Sequence, residues 1–380
     1  MNFELTKDQQ RIQQMAREFA QNELLPGVCQ RDEEGQFPLE LFAKLGKTGL
    51  YGLPYSTELG GLGGSYLSYI LAVEELSKVD ASFGIAFSVD TSLYGGSIVN
   101  SSAPDEVKKR FLAPITYGEK IGSFGLTEHT AGSDAAGQRT VAAKDGDSYV
   151  LNGGKCFNTN GPLADYTVIY CLTDPELGTK GMAAFVVEKG TPGFTVGKVE
   201  NKMGIRSAQV SDMHLENVRV PADHMIAKPG EGFKLAMKTL DGGRIGVAAQ
   251  GLGIAKGAFE IARTYMMERE QFDKPISKQQ YLAFQMAEMQ TEIQAAELLL
   301  YKAAMDKEEG RPYTVSAAMA KLTCTNVAMK VTTQAVQMLG GNGYMKEYHV
   351  ERMMRDAKIT QIYEGTNEIQ KLVISGQLFR

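Results

Sequence analysis

The sequence has few of the residues that build metal centres and disulfide frameworks. Its 380 residues include four cysteines and four histidines, and no two cysteines form a Cys-x-x-Cys pair. The histidines are too scattered for a zinc signature. Disulfide scaffolds are short chains rich in cysteine, and this chain is neither. We therefore expect reduced thiols, no metal site and a cytoplasmic protein.

Long apolar runs and basic stripes are also missing. No apolar run approaches the roughly 20 residues that a membrane-spanning helix needs, so membrane insertion is not expected. The polar N-terminus of mixed charge is neither a signal nor a transit peptide. The formal net charge is −5, and the densest basic run, Lys108 to Arg110, follows two acidic residues as on a solvated helix face. Nucleic-acid binding is therefore not expected.

The pattern that is present is helical at both ends of the chain and β-rich in the middle. Thr6 and Gln9 have the spacing of a capping box at the start of a helix. Further helices are predicted over residues 38–47, 66–80 and 104–112. Between residues 119 and 226, short β-rich runs alternate with turn signals, including the hairpin dipeptides Asp145-Gly146 and Asn152-Gly153. This segment is predicted to form a small β-sandwich or barrel.

The C-terminal part is predicted to be a helix bundle. Apolar residues recur every three or four positions from Leu282 to Leu300, which is typical of a packing seam. Gly251, Gly253 and Gly257 loosely match a dinucleotide-binding fingerprint, but they lie in a helical run that begins near Gly232. Close packing of helices explains them better. Three domains follow: residues 1–118, 119–226 and 227–380.

Three short segments could carry chemistry, and each also has an ordinary structural interpretation. The loop from Phe124 to Asp134 could bring backbone N–H groups to a phosphate, or it could be a plain strand exit. Phe157 and Thr159 could contact one planar ligand, or they could belong to a half-buried strand. Glu364, beside Gly365, could be a catalytic carboxylate or a solvated cap residue.

Six segments, in this order and spacing, resemble the acyl-CoA dehydrogenase family, especially its short-chain, butyryl-CoA dehydrogenase-like members. They are Lys202 to Arg206, Leu240 to Arg244, Glu268-Arg269 with Phe272, Gln337 to Gly341, Arg355 to Lys358 and Ile362 to Thr366. The resemblance extends over essentially the whole chain.

The resemblance implies an α+β multidomain fold with N-terminal helices, a middle β-barrel and a C-terminal four-helix bundle. It implies a homotetramer with one FAD per subunit. The residues that it assigns to FAD are Phe124, Leu126, Thr127, Ser133, Phe157, Thr159, Arg269, Phe272, Gln280, Gln337, Gly340, Gly341, Thr366, Asn367 and Glu368. Arg269, Gln280 and Gln337 to Gly341 would reach the FAD of a neighbouring subunit. The residues that it assigns to the CoA substrate are Ser133, Asp241, Arg244 and Gly365.

The resemblance also implies a mechanism. Glu364 would remove the α-proton of an acyl-CoA while the β-hydrogen leaves as hydride to flavin N5. Phe157 would pack on one flavin face, and Thr159 would hydrogen-bond near N5. Burial beside an acyl chain should raise the pKa of Glu364 and make it a stronger base. Some relatives carry the base just before the position that matches Arg244, but here that position is Gly243.

The sequence departs from the family pattern at His129, Asn158 and Asp273. The usual residues there are a proline, a branched apolar residue and a glycine. His129 and Asn158 are expected close to the flavin, where they could alter its potential. Asp273 adds charge near the expected contact with a neighbouring subunit's FAD.

The main functional hypothesis is a short-chain acyl-CoA dehydrogenase that passes electrons to an electron-transferring flavoprotein. The alternative is an enoyl-CoA reductase that runs the same chemistry backwards on acrylyl-, crotonyl- or aryl-acrylyl-CoA. An oxygen-using oxidase would usually be longer, and a nucleic-acid-associated relative would need a basic surface. A purely structural acyl-CoA-binding scaffold would not need Glu364.

Overall fold

The computed structural model describes residues 4–379, and its N-terminal part is helical. The helices are α1 (Lys7–Phe19), α2 (Val28–Glu34), α3 (Leu39–Gly46), α4 (Tyr66–Ser77), α5 (Ala81–Ser88), α6 (Gly96–Asn100) and α7 (Asp105–Thr116). The predicted capping box is confirmed, because Thr6 and Gln9 exchange side-chain and backbone hydrogen bonds at the start of α1.

The prediction missed α5 and α6, which are almost completely buried. Every residue of α5 is buried, and it continues into a π-helical segment, Val89–Gly95, whose residues are also buried. A helix that is apolar and small on all sides has no polar face, so its sequence carries no helical period.

The middle of the chain forms an eight-stranded sheet that folds over its own core. Its strands are β1 (Gly122–Gly125), β2 (Val141–Asp145), β3 (Ser148–Thr159), β4 (Tyr166–Leu172), β5 (Met182–Glu188), β6 (Phe194–Val199), β7 (Val210–Pro221) and β8 (Met225–Ala227). The order is β6-β7-β3-β2-β4-β5-β8, with β1 pairing in parallel with β4. Buried residues from both halves, such as Leu151, Phe185 and Met213, share one core, as the β-domain prediction requires.

One of the two predicted hairpin turns is confirmed and the other is wrong. Asp145-Gly146 connects β2 to β3, and Gly146 has a φ of 61°. Asn152-Gly153 instead lies inside β3, where the pairing with β7 shifts register between Leu151 and Gly153. Gly153 has a φ of 141°, and a Cβ there would lie 2.7 Å from Oγ1 of Thr140. The glycine therefore serves a β-bulge that approaches Thr140, the residue before β2, closely.

The C-terminal part is a bundle of long helices. It contains α8 (Gly232–Glu268), a short hairpin of β9 (Glu270–Gln271) and β10 (Lys274–Pro275), α9 (Gln280–Glu308), α10 (Thr314–Leu339), α11 (Val350–Thr360) and α12 (Asn367–Leu378). The interpretation of Gly253 and Gly257 is confirmed, since a Cβ on either would overlap a carbonyl oxygen of Glu74 or Lys78. The predicted seam on α9 is also confirmed, with Met289, Ile293 and Leu300 buried.

These layers meet where α8 crosses the N-terminal helices and the sheet. Leu240 on α8 packs against both the helical core and the core that joins α7 to the sheet. Phe124 of β1 contacts the same two cores. Within residues 4–379, no helix combines the length and the apolar composition that crossing a bilayer requires.

Candidate active site

Glu364 lies in the turn between α11 and α12, in a conformation that few non-glycine residues adopt. Its φ is 53°, and the next residue, Gly365, has a φ of 90°. Thr366 then caps α12, its Oγ1 accepting a hydrogen bond from the N–H of Ile369. Strained backbone of this kind persists only where the surroundings hold it, and it is common at functional sites.

The carboxyl group of Glu364 is withdrawn from solvent although the residue as a whole is half-buried. Neither carboxylate oxygen has a hydrogen-bond partner among the described residues. Burial raises the pKa of Glu364 to about 7, while the charges of Lys321 and Arg244 limit the rise. A carboxyl with a pKa near neutrality is suited to proton transfer, and its unpaired oxygens leave it available.

Gly243 on α8 borders the same carboxyl group. A Cβ on Gly243 would overlap Oε2 of Glu364 and would lie 2.6 Å from Cδ2 of Leu93. Leu93 belongs to the buried π-helical segment. The position that carries the base in some relatives thus lies against the Glu364 carboxyl group, and only its lack of a side chain leaves room there.

Arg244 and Asp241, the predicted substrate contacts, form a fixed pair one helical turn apart. Nη1 of Arg244 donates to Oδ1 of Asp241 at 2.5 Å, and Oγ1 of Thr314 donates to Oδ2 of the same aspartate at 2.6 Å. Arg244 is buried, and its Nε has no partner among the described residues. The pair presents a cation beside Glu364 without leaving the cation uncompensated.

A lysine that the sequence analysis did not single out lies beneath the Glu364 turn. Lys321 of α10 is fully buried, and its Nζ donates to the carbonyl oxygen of Gly365 at 2.9 Å and to Oδ1 of Asn367 at 3.0 Å. The sequence contained a signal for this lysine, because Lys321 recurs at helical spacing with Ala317 and Cys324 on the buried side of α10. A charged residue is rarely buried there unless its charge is paired or hydrogen-bonded.

The predicted flavin loop, Phe124 to Ser133, is shaped by a second buried lysine. Nζ of Lys155 donates to the carbonyl oxygen of Leu126 at 3.1 Å, to Oε1 of Glu128 at 2.8 Å and to Oε1 of Gln138 at 3.2 Å. The Glu128 carboxylate also accepts the N–H groups of Arg139 and Thr140. These bonds fix the loop from inside, while Thr127 remains half-buried and Ser133 exposed.

Phe157 and Thr159 lie next to this loop, but a regular strand does not place them there. Phe157 has a φ of 57° and lies in a second register shift of β3, and the residue is 66% exposed. Thr159 is half-buried, and its carbonyl oxygen accepts a hydrogen bond from Oγ of Ser123 at 2.7 Å. The irregular backbone turns the Phe157 ring outward, as a stacking surface requires.

Two of the three departures from the family pattern lie near Phe157. The His129 ring meets the Phe157 ring edge-on at 6.2 Å between centroids, and its Nε2 lies 2.9 Å from Oδ2 of Asp212. Asn158 is buried, and its Nδ2 donates to the carbonyl oxygen of Ser211 at 3.0 Å. His129 is therefore on the side of the exposed ring, while the Asn158 side chain is directed into the sheet.

Most of the residues predicted to reach a neighbouring subunit's FAD are exposed in the single chain, namely Arg269, Gln280, Gln337, Gly340 and Gly341. Met338 and Leu339, within the predicted range from Gln337 to Gly341, are buried. Phe272 is 87% exposed at the tip of the β9–β10 hairpin, where Phe272 and Asp273 both have positive φ values. Aspartate tolerates this conformation better than most residues, which accounts for Asp273 where the family pattern has glycine.

The three predicted cofactor residues after Gly365 differ in exposure. Glu368 is exposed and Thr366 is half-buried. Asn367 is buried, and its side chain bonds to Lys321, Thr325 and Asn326. Its N–H donates to the carbonyl oxygen of Gln361. Both polar groups of the Asn367 side chain are thus used inside the chain, which favours a role in supporting the turn.

The Glu364 carboxyl is buried against α8 and near the N-terminal helices, in a chain whose N-terminal helices, middle β-domain and C-terminal helix bundle have the architecture of the acyl-CoA dehydrogenases. Models of this family match the chain along almost its entire length: the N-terminal domain over residues 6–119, the middle domain over residues 123–218 and the C-terminal domain over residues 230–379. The chain belongs to the acyl-CoA dehydrogenase family, whose members carry FAD, and the resemblance noted in the sequence is confirmed.

Two relatives of high identity are short-chain specific enzymes. The short-chain specific acyl-CoA dehydrogenase of Clostridium acetobutylicum is 55% identical, and that of Megasphaera elsdenii is 50% identical; each match covers all of both chains. The structure of butyryl-CoA dehydrogenase from Megasphaera elsdenii superimposes with a TM-score of 0.98 at 49% identity, covering both chains completely. These similarities support acyl-CoA dehydrogenation as the reaction class.

A further solved structure is relevant to the electron partner. A chain from a structure of the electron transferring flavoprotein of Acidaminococcus fermentans, described in relation to flavin-based electron bifurcation, superimposes with a TM-score of 0.99. It is 52% identical, and the match covers both chains completely.

Proposed function

We propose that this chain is a short-chain acyl-CoA dehydrogenase in which Glu364 removes the α-proton of a thioester substrate such as butyryl-CoA. The observation that carries the proposal is the state of Glu364. Its carboxyl oxygens are buried and have no partner among the described residues, and its pKa is raised to about 7. A structural cap residue would be solvated or hydrogen-bonded, whereas a general base must keep its lone pairs free.

The residues near Phe157 fit a flavin. An outward-turned aromatic ring on strained backbone, with half-buried Thr159 two residues further on, suits one face and one edge of a planar ring system. The loop braced by Lys155 and Glu128 leaves Thr127 and Ser133 accessible for polar groups of the cofactor or substrate. When bound, FAD supplies the acceptor for the hydride that leaves the β-carbon.

The chain's own residues then act on the substrate around Glu364. The missing side chain at Gly243 leaves space for the carboxyl group, and the apolar side chain of Leu93 borders the same space. Arg244 and Lys321 favour the carboxylate over the protonated form. Glu364 therefore takes the α-proton as the carboxylate and holds it as a neutral acid, which a pKa near 7 allows without a large energetic penalty.

The reverse reaction, enoyl-CoA reduction, is the second candidate, and the same pKa supports it. Reduction requires Glu364 to be protonated before it delivers a proton to the α-carbon. With a pKa of about 7, both forms are populated near neutral pH. An electron-transferring flavoprotein is proposed as the partner in either direction, in keeping with the similarity to the Acidaminococcus fermentans chain.

We also propose that the functional unit is a homotetramer. Arg269, Gln337 and the hairpin tip at Phe272 are exposed, and the large exposed aromatic ring of Phe272 is more suited to contact with another subunit than to solvent. If a neighbour's FAD site is completed by these residues, FAD retention depends on assembly. Light scattering should report a tetramer, and a stable monomer with full FAD content would contradict this part of the proposal.

The test of the proposed function is anaerobic mixing of the FAD-containing protein with butyryl-CoA in a stopped-flow instrument. The native protein should bleach at the flavin absorption band, and Glu364→Gln should lose about 10²–10⁴-fold or more in the bleaching rate. Glu347→Gln, an exposed glutamate of the same region, is the control and should behave as the native protein. Bleaching of Glu364→Gln within a few-fold of the native rate would show that another group is the base.

A further inference from the structure

The lysine beneath the Glu364 turn is buried in a way that packing alone does not explain. Lys321 is a lysine at 0% exposure on the buried face of α10, and removing an ammonium from water is costly unless its protons are bonded. Two acceptors lie in reach of Nζ: the carbonyl oxygen of Gly365 at 2.9 Å and Oδ1 of Asn367 at 3.0 Å. Both belong to the segment that follows Glu364 directly.

The turn needs such support because its backbone is strained. Glu364 and Gly365 have successive positive φ values of 53° and 90°, a conformation that is strained for a glutamate. Nε2 of Gln370 donates to the carbonyl oxygen of Gly365 at 2.8 Å, from the α12 side. Lys321 therefore supplies the α10 half of a clamp whose other half is Gln370.

We propose that Lys321 is a positioning residue for the reaction: it holds the Glu364–Gly365 turn and places a positive charge behind the Glu364 carboxyl group. The inference rests on the proposed role of Glu364 as the base. It assigns to α10 a function in catalysis although no α10 side chain is proposed to touch the substrate there.

The charged and titratable groups around the carboxyl group are few, so the charge of Lys321 counts. Arg244, paired with Asp241, faces it from α8, Tyr66 and Tyr69 from α4, and Tyr363 precedes it in the turn. Glu368 on α12 is exposed and acts on Lys321. Burial lowers the pKa of Lys321 to about 7, and the charge of Glu364 opposes that fall. Each group of this pair thus stabilises the charged form of the other.

The experiment separates the charge from the hydrogen bonds. Lys321→Met removes both, while Lys321→Gln keeps a donor of nearly the right length without the charge. Lys330→Met is the control, because Lys330 is exposed on the same helix and pairs with Glu292 at 2.5 Å. The readout is the pH profile of anaerobic flavin bleaching at saturating butyryl-CoA, together with the dissociation constant for butyryl-CoA.

Loss of the nearby cation should shift the apparent pKa of the profile upward in both Lys321 variants. An upward shift of about one unit lowers the rate at pH 7 by roughly fivefold. Lys321→Met should in addition have a lower plateau at high pH, because its turn is no longer clamped, whereas Lys321→Gln should recover most of the native plateau. The dissociation constant should change by less than about threefold in both.

A native apparent pKa and a native plateau in Lys321→Met would overturn the proposal. Failure of both variants to assemble with FAD, where Lys330→Met assembles, would assign Lys321 a structural role and would also overturn it. Glu364→Gln is measured in parallel to separate the two hypotheses. If Glu364→Gln does not bleach while Lys321→Met bleaches at the native rate, only the proposed role of Lys321 is wrong. If Glu364→Gln bleaches at the native rate, the proposed base itself is wrong.

Discussion

The carboxyl group of Glu364 lies against the backbone of Gly243, so that a Cβ on Gly243 would overlap Oε2 of the glutamate. The two residues are far apart in the sequence, on the α11–α12 turn and in the middle of α8. Their contact explains why a glycine, a poor helix former, stands within a long helix. Only a residue without a side chain leaves room at position 243 for the carboxyl group of Glu364.

The first prediction is that Gly243→Ala impairs turnover without impairing the fold. The new methyl group must displace the Glu364 carboxyl group or press on Cδ2 of Leu93, 2.6 Å away. A misplacement of about 1 Å can cost roughly 10²-fold in rate, so we expect a 10- to 100-fold slower flavin bleaching. Replacing glycine inside a helix should meanwhile favour α8 by up to about 1 kcal/mol.

The control for this substitution is Gly251→Ala on the same helix. A Cβ on Gly251 would lie 3.4 Å from the carbonyl oxygen of Cys324, which is within the range of van der Waals contact. That variant should bleach at nearly the native rate. Equal rates for Gly243→Ala and the native protein would mean that Glu364 does not work from the position described.

The second prediction is that the base can be moved to α8. In Gly243→Glu combined with Glu364→Gly, the new side chain points at the space that the Glu364 carboxyl group leaves. The double variant should bleach at least about tenfold faster than Glu364→Gly alone, because a positioned base is worth roughly 10²–10⁴-fold. Gly242→Glu with Glu364→Gly is the matched control. Its side chain points at Nζ of Lys307 instead, so it should give no rescue.

The features of the fold that could be predicted from the sequence are those set by residues close together in the chain. The capping box of α1, the seam on α9 and the turn at Asp145-Gly146 depend on neighbours within a few residues, and all three are confirmed. Asn152-Gly153 has the same local signal as a hairpin turn, but pairing with β7 made it a bulge. Local propensity is overridden where a second strand fixes the backbone.

The same distinction applies to the candidate site. Glu364 was identified because the family resemblance marked it, and its neighbour Gly243 was marked as the alternative position. Lys155 and Lys321 were missed, because their significance lies in partners that only the fold brings near, such as Glu128 and the carbonyl oxygen of Gly365. A lysine on an otherwise apolar helix face is a sequence signal that would have pointed to Lys321, whereas Lys155 lies in the strand β3 and has no such signal.

The third prediction concerns pH. Burial raises the pKa of Glu364 to about 7, and the base acts as the carboxylate. The rate of flavin bleaching by butyryl-CoA should therefore rise about tenfold per pH unit below 7 and level off above it. Reoxidation of the reduced protein by crotonyl-CoA needs the protonated form and should show the opposite trend, falling above pH 7. A bleaching rate that is flat from pH 5.5 to 8.5 would exclude Glu364 as the titrating base.

The fourth prediction is that Glu364→Gln is more stable than the native protein at alkaline pH. The folded-state pKa of about 7 lies above the ordinary value of 4.5, so the carboxyl's favourable contribution is present below pH 4.5 and is lost as pH rises through 7. Glutamine cannot ionise there. We expect a gain of up to about 3 kcal/mol at pH 8, because the rise of the pKa from 4.5 to about 7 corresponds to roughly 1.4 kcal/mol per pKa unit. Thermal unfolding of FAD-containing protein at pH 5 and pH 8 measures it, and an equal difference at both pH values would contradict it.

The last prediction concerns the buried ion pair that braces the predicted flavin loop. Nζ of Lys155 bonds to Oε1 of Glu128 at 2.8 Å and to the carbonyl oxygen of Leu126 at 3.1 Å, while the Glu128 carboxylate holds two backbone N–H groups across the loop. Removing one member of such a pair leaves an uncompensated charge and typically costs about 3–5 kcal/mol. Lys155→Met should therefore lower the unfolding temperature and release FAD during gel filtration.

Adding Glu128→Gln to Lys155→Met should restore part of this loss, because the second change removes the stranded carboxylate while an amide oxygen can still accept the N–H groups of Arg139 and Thr140. The control is Lys120→Met, whose lysine is partly exposed and pairs with Asp165 at 3.1 Å; surface pairs contribute about 0–1 kcal/mol. Unfolding temperature and FAD content per chain are the measurements. Retention of FAD by Lys155→Met, with an unfolding temperature within a degree or two of that of Lys120→Met, would contradict the prediction. The Lys155–Glu128 pair would then not fix the conformation of the loop, and FAD binding by residues 124–133 would depend on the loop backbone alone.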